Sequence, residues 1–175
     1  MRYEEGLWED AVKDWRLDDS ARVWVHVASR RMTLDEAHIV QAHLDEFVAG
    51  WQAHGAPLTA QASVVHGWMV LLAVDERLQP ATGCSIDASV SALKQVASLH
   101  PSMVDLDLFD RMAVLHRSSS ETPWKRTTLS TFWAQRKAGI VDDAEQVFDT
   151  TVSTLGALKT RGVVPMGTSW HAEMW

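Results

Sequence analysis

The segment PATGCSIDASV, Pro80 to Val90, holds the only cysteine of the chain, Cys84, one residue after a glycine and three before Asp87. A helical pattern begins near Ser85. That sets the thiol at the positive end of a helix, where unpaired backbone N–H groups and the macrodipole favour a thiolate. Nucleophilic or redox chemistry there needs a base within hydrogen-bond reach. His54 in WQAHG and His171 in SWHAE are the imidazoles set beside special local sequence, and Asp87 is the group available to orient or to cap. A structural reading stands beside this one: Cys84 is a small buried apolar residue, Gly83 permits the turn, and Ser85 and Asp87 cap helix N–H groups.

The same side chains, His54, His171, Cys84 and Asp87, are competent ligands for zinc or iron, but their spacing does not support a metal site. His38 and His43 are five residues apart, so on a helix they point about 140° apart. No metal and no cofactor are expected. The carboxylate groups Asp75-Glu76, Asp105-Asp107-Asp110 and Asp142-Asp143 fall at strand or loop ends, where solvated charge is the default. A phosphate-binding loop needs Gly-x-x-x-x-Gly-Lys-Ser/Thr after a strand, and the sequence contains neither this nor a Gly-x-Gly-x-x-Gly fingerprint. ATP hydrolysis is therefore rejected.

The elements that must position these residues belong to one domain of 175 residues, 46% hydrophobic and 22% charged. Such a chain buries about 70% of the surface it exposes when unfolded. Nine tryptophans are many for this length. The net charge of -7 is uneven, because residues 1–19 hold seven carboxylates against Arg2, Lys13 and Arg16 and so contribute -4. That acidic segment has an apolar side of Leu7, Trp8, Ala11, Val12 and Trp15 at helical spacing, which predicts an amphipathic N-terminal helix, docked on the body or offered to a partner. Without a basic stripe to release counterions, nucleic acid is not an expected partner. The start is acidic where a secretory signal is basic and then apolar, and the longest apolar run, Trp68 to Val74, is too short to span a bilayer. A cytoplasmic protein with no membrane partner is expected.

RVWVHVAS, Arg22 to Ser29, alternates and is rich in branched residues, which predicts a strand with Val23, Val25 and Val27 on one face and Trp24 and His26 on the other. In the following segment Thr33 and Glu36 form a capping-box pattern, and Ala37, Val40, Leu44, Phe47, Val48 and Trp51 line one side of a helix. AQASVVHGWMVLLAVDE reads as two strands joined by a tight turn at His66-Gly67. Ser85 to about Leu99 is helical, with Ile86, Val90, Leu93 and Ala97 on one face, and Asp110 to Ser118 is a strand. The order strand, helix, strand, strand, helix, strand predicts an α+β fold with a ferredoxin-like core over about residues 22–118, its helices on one face of a four-stranded antiparallel sheet. An extension over 119–175 adds a strand at Trp124 to Leu129, a helix from Ser130 to Ala138 stopped by Gly139, and a mixed tail.

Such a sheet leaves one face open, and Trp24, His26 and Trp68 are expected to project from it. The C-terminal tail with Trp170 and Trp175, the acidic N-terminal segment, or a second subunit would have to cover it. Two classes of function fit. The first is a small-molecule-binding or protein-interaction protein, with Trp51, Ser85, Ser89 and Trp170 as candidate ligand contacts. The second is a thiol- or histidine-dependent enzyme, with Cys84 as nucleophile or redox centre, His171 or His54 as base, and Asp87 orienting.

The segments RVWVHVASRRMT, WQAHGAPLTA, LLAVDE, GCSIDASV, DLFDRMAVLHR and SWHAEMW resemble, in order, segments of a family of small bacterial proteins of unassigned function that often carry the label "ABC transporter ATPase". The resemblance covers about Arg22 to the C-terminus and implies relationship rather than mechanism. The label conflicts with the missing phosphate-binding loop.

Overall fold

The structure, a computed structural model, describes residues 8–174. Leu7 of the expected amphipathic helix lies outside the described residues. Trp8–Ala11 form one turn of 3-10 helix that leads into a docked segment. Ala11, Val12 and Leu17 of that segment are buried, and the Trp15 indole donates to Ser63 Oγ at 3.3 Å. Ser63 Oγ in turn donates to the Ala11 carbonyl at 2.9 Å.

Strand β1 (Arg22–Val27) leads to helix α1 (Leu34–Gly50), which starts with the expected capping box: Thr33 accepts from the Glu36 N–H and Glu36 accepts from the Thr33 N–H. A two-residue hairpin follows, β2 (Gln52–Ala53) and β3 (Ala56–Pro57), then β4 (Thr59–Val65) and β5 (Met69–Asp75). His66 and Gly67 join β4 to β5 with φ of 53° and 70°. Both are left-handed, and with Trp68 they form the three-residue loop between Val65 and its register partner Met69, closed by the Trp68 N–H donating to the Val65 carbonyl at 2.9 Å. Helix α2 (Gly83–Gln95) is next, then β6 (Ala113–Arg117), β7 (Lys125–Thr128), α3 (Leu129–Lys137), β8 (Gln146–Phe148), α4 (Leu155–Arg161) and β9 (Val163–Pro165). Gly139 takes φ of 69° just beyond α3, where a left-handed residue ends a helix without strain.

The fold is α+β, and every strand pairing is antiparallel. One sheet has the order β1-β5-β4, and a second has the order β7-β6-β8-β9. The first three strands of the expected four-stranded core share one antiparallel sheet. The fourth does not join them, because residues 113–117 pair with β7 and β8. The approach to this strand hydrogen-bonds at the end of β1: Ser29 N–H donates to the Asp107 carbonyl at 2.7 Å and Asp110 N–H donates to the Val27 carbonyl at 3.3 Å. The chain then turns away, and β6 becomes the second strand of the other sheet. An expected boundary near residue 118 therefore falls inside that sheet.

Both long helices lie on one side of the first sheet. Val40 and Leu44 of α1 share a buried cluster with Leu93 of α2 and with Val70, Leu72 and Val74 of β5. Trp24 packs against this cluster, so the Trp24 and His26 face of β1 is the one beneath the helices, the reverse of the expected orientation. The alternation in β1 shows that its faces differ. It does not show which face receives the helices, because β5 is apolar at every position but its last and carries no parity of its own.

The opposite face is closed from within the chain. Val23, Val27, Val65, Met69, Leu71 and Ala73 meet Ala11 and Val12, the second sheet through Leu115, Trp124 and Phe148, and α4 through Leu155 and Leu158. Trp68 packs against the same cluster, so it lies away from the helices as expected but is covered. A bare sheet face was the argument for a second subunit, and that argument is removed. All seven residues of β5 are buried. A third cluster, with Val114, Phe132, Val147 and Met166, joins the second sheet to α3 and the turns after β9.

Candidate binding cleft

Because β6 leaves, the outer edge of β1 is left beside a cleft of about 350 Å³. Four consecutive strand residues, Trp24 to Val27, form its floor, and α2 contributes Ile86, Ser89 and Val90. The segment that carries the chain away, Leu108 to Arg111 with Ala113, forms the far wall, and Thr150 reaches it from the second sheet's side. His26 meets Phe109 edge-on, their rings 5.2 Å apart. Asp110 fixes the departure point: its carboxylate accepts the Met112 N–H at 3.0 Å and pairs with the guanidinium of Arg126 on β7. This cleft sets an aromatic and aliphatic wall against nearly as much polar surface from His26, Ser89, Asp110, Arg111 and Thr150, and lies at the lower end of the size range of small-ligand sites.

Burial lowers the His26 pKa to about 4, so the imidazole is neutral at pH 7 and offers one donor and one acceptor. Trp24 lies between the guanidinium of Arg22, 4.7 Å from its ring centroid, and the ring of Trp51 at 6.4 Å. Trp51 also meets Phe47 at 5.0 Å and donates its indole N–H to the Ser85 carbonyl at 2.8 Å. The aromatic row Trp24, Trp51 and Phe47 thereby ties β1 and the end of α1 to the first turn of α2, which places Ile86 and Ser89 over the cleft.

The sequence-derived candidates fall in three places. Cys84 is exposed at the second position of α2, where the thiol reading requires it to be accessible, and it is not the buried residue of the structural reading. The cap is Thr82, which accepts the Ser85 N–H at 3.3 Å while Ser85 Oγ accepts the Thr82 N–H at 2.8 Å. Asp87 is exposed and its carboxylate caps nothing, so the expected Ser85 and Asp87 cap is corrected to a Thr82 and Ser85 capping box. His54 sits exposed at the tip of the β2-β3 hairpin with φ of 52°. It belongs to the same end of the molecule as α2, since Trp51 and Ala53 at the hairpin's base pack in the cluster beneath the helices. Among the described residues no hydrogen bond joins Cys84 to an imidazole.

His171 lies elsewhere, 2% exposed among the turns after β9. Its Nδ1 is 3.0 Å from Ser169 Oγ, and its ring stacks on Trp170 with centroids 3.8 Å apart. Burial lowers its pKa to about 4, partly opposed by Asp149 and reinforced by His116. The neighbouring His116 pairs with Glu145 at 2.6 Å. Of the four ligand-contact candidates, Ser89 lines the cleft, Trp51 and Ser85 support it from behind, and Trp170 stands with His171. The residues the sequence missed are Phe109, Asp110 and Arg111, together with Ile86 and Val90 in this role. Their signal was the run DLFDR, an aromatic between two carboxylates just before a strand.

No group of three or more His, Cys, Asp or Glu able to hold a metal ion occurs among the described residues. Two carboxylates expected to be solvated are not. Asp75 is 5% exposed and held by Arg77 at 2.6 Å, which with further hydrogen bonds lowers its pKa to about 2. Asp110 is half-buried in its pair with Arg126. No described helix is long and apolar enough to cross a membrane. No protein-family model, curated protein or solved structure matches the chain.

Proposed function

We propose that the protein is a non-catalytic binding protein whose site is the cleft along β1. The observation that carries this reading is the cleft itself: an aromatic and aliphatic wall of Trp24, Phe109, Ile86 and Val90 around a neutral imidazole and a strand edge. A pocket in which an apolar wall meets a few placed polar groups selects ligands by shape and by hydrogen bonding. Nothing in the cleft pairs a nucleophile with a base, whereas covalent catalysis needs both within contact. The finer fold assignment, a ferredoxin-like core whose fourth strand is displaced into a second sheet, is part of the same proposal, since that displacement makes the cleft. The resemblance to the small bacterial family fits it without supplying a ligand.

The test is indole fluorescence titrated against a panel of neutral metabolites, with Trp24→Phe as control. A compound that shifts the emission of the parent protein and leaves Trp24→Phe unresponsive supports the reading. A panel that leaves the emission unmoved in both proteins counts against it.

A further inference from the structure

The hydrogen-bond pattern of β1 says what kind of ligand the cleft is built to take. In an antiparallel pair, alternate residues direct both backbone groups at the partner strand and the others direct theirs outward. Ala28 N–H donates to the Trp68 carbonyl at 2.8 Å, which extends the β1-β5 register and makes the even-numbered residues the ones that face β5. Val23, Val25 and Val27 therefore present their N–H and C=O groups to the outer edge. At one end Val23 N–H donates to the Ser153 carbonyl at 2.9 Å, beside the bridge from Arg22 to Thr154. At the other end the Val27 carbonyl accepts from Asp110.

Between these two bridges the Val23 carbonyl, both groups of Val25 and the Val27 N–H have no partner among the described residues. They span four residue steps, about 13 Å of strand at roughly 3.3 Å per residue. Proteins normally shield such an edge by a charge, a bulge or a covering segment. Here it is the floor of a cavity.

Resting on the reading that this cleft is the binding site, we infer that its ligand is a peptide segment of about three residues in extended conformation, added to β1 as an antiparallel strand. The central ligand residue would exchange both backbone hydrogen bonds with Val25, and the groups two positions to either side, which in a capped tripeptide are the terminal amide N–H and the acetyl carbonyl, would reach the Val23 carbonyl and the Val27 N–H. The central side chain would lie on the Val25 side, towards Ala113 and Thr150, where a small residue fits. The two flanking side chains would lie on the other side, towards Trp24, His26, Phe109, Ile86 and Val90, which favours apolar or aromatic residues. Backbone bonds supply affinity in strand addition and the alternating pockets supply selectivity. Because the edge is bridged at both ends, a long strand cannot run past it. The ligand is a short peptide or the tip of a chain.

The experiment is amide chemical-shift titration of the full chain with acetylated, amidated tripeptides that have a small centre and apolar flanks, each compared with its analogue N-methylated at the central residue. Strand addition predicts shifts centred on the Val25 and Val27 amides and an affinity reduced about tenfold or more by N-methylation, because the donor to the Val25 carbonyl is lost. Equal affinity for both forms overturns strand addition and leaves the cleft as a site for small molecules. Tripeptides that move no cleft amide, while a metabolite does, have the same meaning. Silence of the cleft to both sets removes this inference and the binding reading together.

Discussion

The N–H of Asp110 donates to the carbonyl of Val27 at 3.3 Å, and it is the last bond between the two chain segments before they part. One residue later the chain is bound for the second sheet, held by the Asp110 carboxylate on the Met112 N–H and on Arg126. The cleft exists because this turn is firm. Asp110→Ala leaves the partly buried guanidinium of Arg126 without its carboxylate, and breaking such a pair from one side costs about 2–4 kcal/mol. The expected outcome is a lower urea midpoint with an unchanged slope, together with line broadening confined to amides 108–113. A midpoint equal to that of the parent would show that the turn does not depend on the pair.

The pH dependence of stability has two separate windows. The pKa of His26 and of His171 falls from 6.5 to about 4 on folding, so between those values the unfolded chain takes up protons that the folded chain refuses. Stability is therefore full above about pH 6.5 and declines as the pH drops towards 4, by on the order of 2–3 kcal/mol per histidine. The carboxylates of Glu36 and Asp75, lowered to about 2 from ordinary values of 4.5 and 3.8, add their loss only below those ordinary values. Urea unfolding at pH 7 and pH 4.7 should show the decline, and His26→Phe should remove about half of it. A flat profile across this interval would mean that neither imidazole is held neutral.

Glu36, 3% exposed, joins three segments: Arg30 Nη1 at 2.9 Å, the Thr33 N–H at 2.8 Å and Ser102 Oγ at 2.8 Å all reach its carboxylate. Glu36→Ala leaves Arg30 with Asp105 and the Ser102 and Arg31 carbonyls, takes away its more buried carboxylate and removes half of the capping box, for an expected loss of about 3–4 kcal/mol. Ser102→Ala removes one donor from the same carboxylate and should cost about 1 kcal/mol. Chemical denaturation of both variants checks the ratio. Equal losses would mean that the capping box and the Arg30 pair contribute little beyond the serine contact.

Cys84 should react with a thiol reagent in the folded protein at one equivalent per chain, without denaturant, because it is exposed in the first turn of α2. Modification should leave the tryptophan emission of the Trp24 cleft unchanged, since the cleft is lined from α2 by Ile86, Ser89 and Val90. A thiol that labels only in urea would contradict its placement.

Much of this architecture is written in short-range pattern. The capping box at Thr33 and Glu36, the His66-Gly67 turn and the stop at Gly139 each follow from local backbone chemistry, and each stands where the pattern puts it. What escapes is decided at long range. The side of β1 that meets the helices depends on how α1 and α2 pack, and the alternation in β1 alone does not say which of its two faces that is. The departure of β6 depends on Arg126, sixteen residues beyond Asp110, and no local pattern couples them. The burial of Asp75 depends on Arg77 folding back over it and on Asp18 from the N-terminal segment. Of the tryptophans, Trp24 lines the cleft, while Trp51 and Trp124 serve as packing between layers.

β5 is shared property. Its even-numbered residues close the layer beneath the helices, and its odd-numbered residues close the layer against the second sheet. Cutting the chain after Asp110 would not release a smaller independent unit, because Leu71 and Ala73 would be left facing water. The molecule should melt in one cooperative step, and the amides of β5 should be the last to exchange with deuterium.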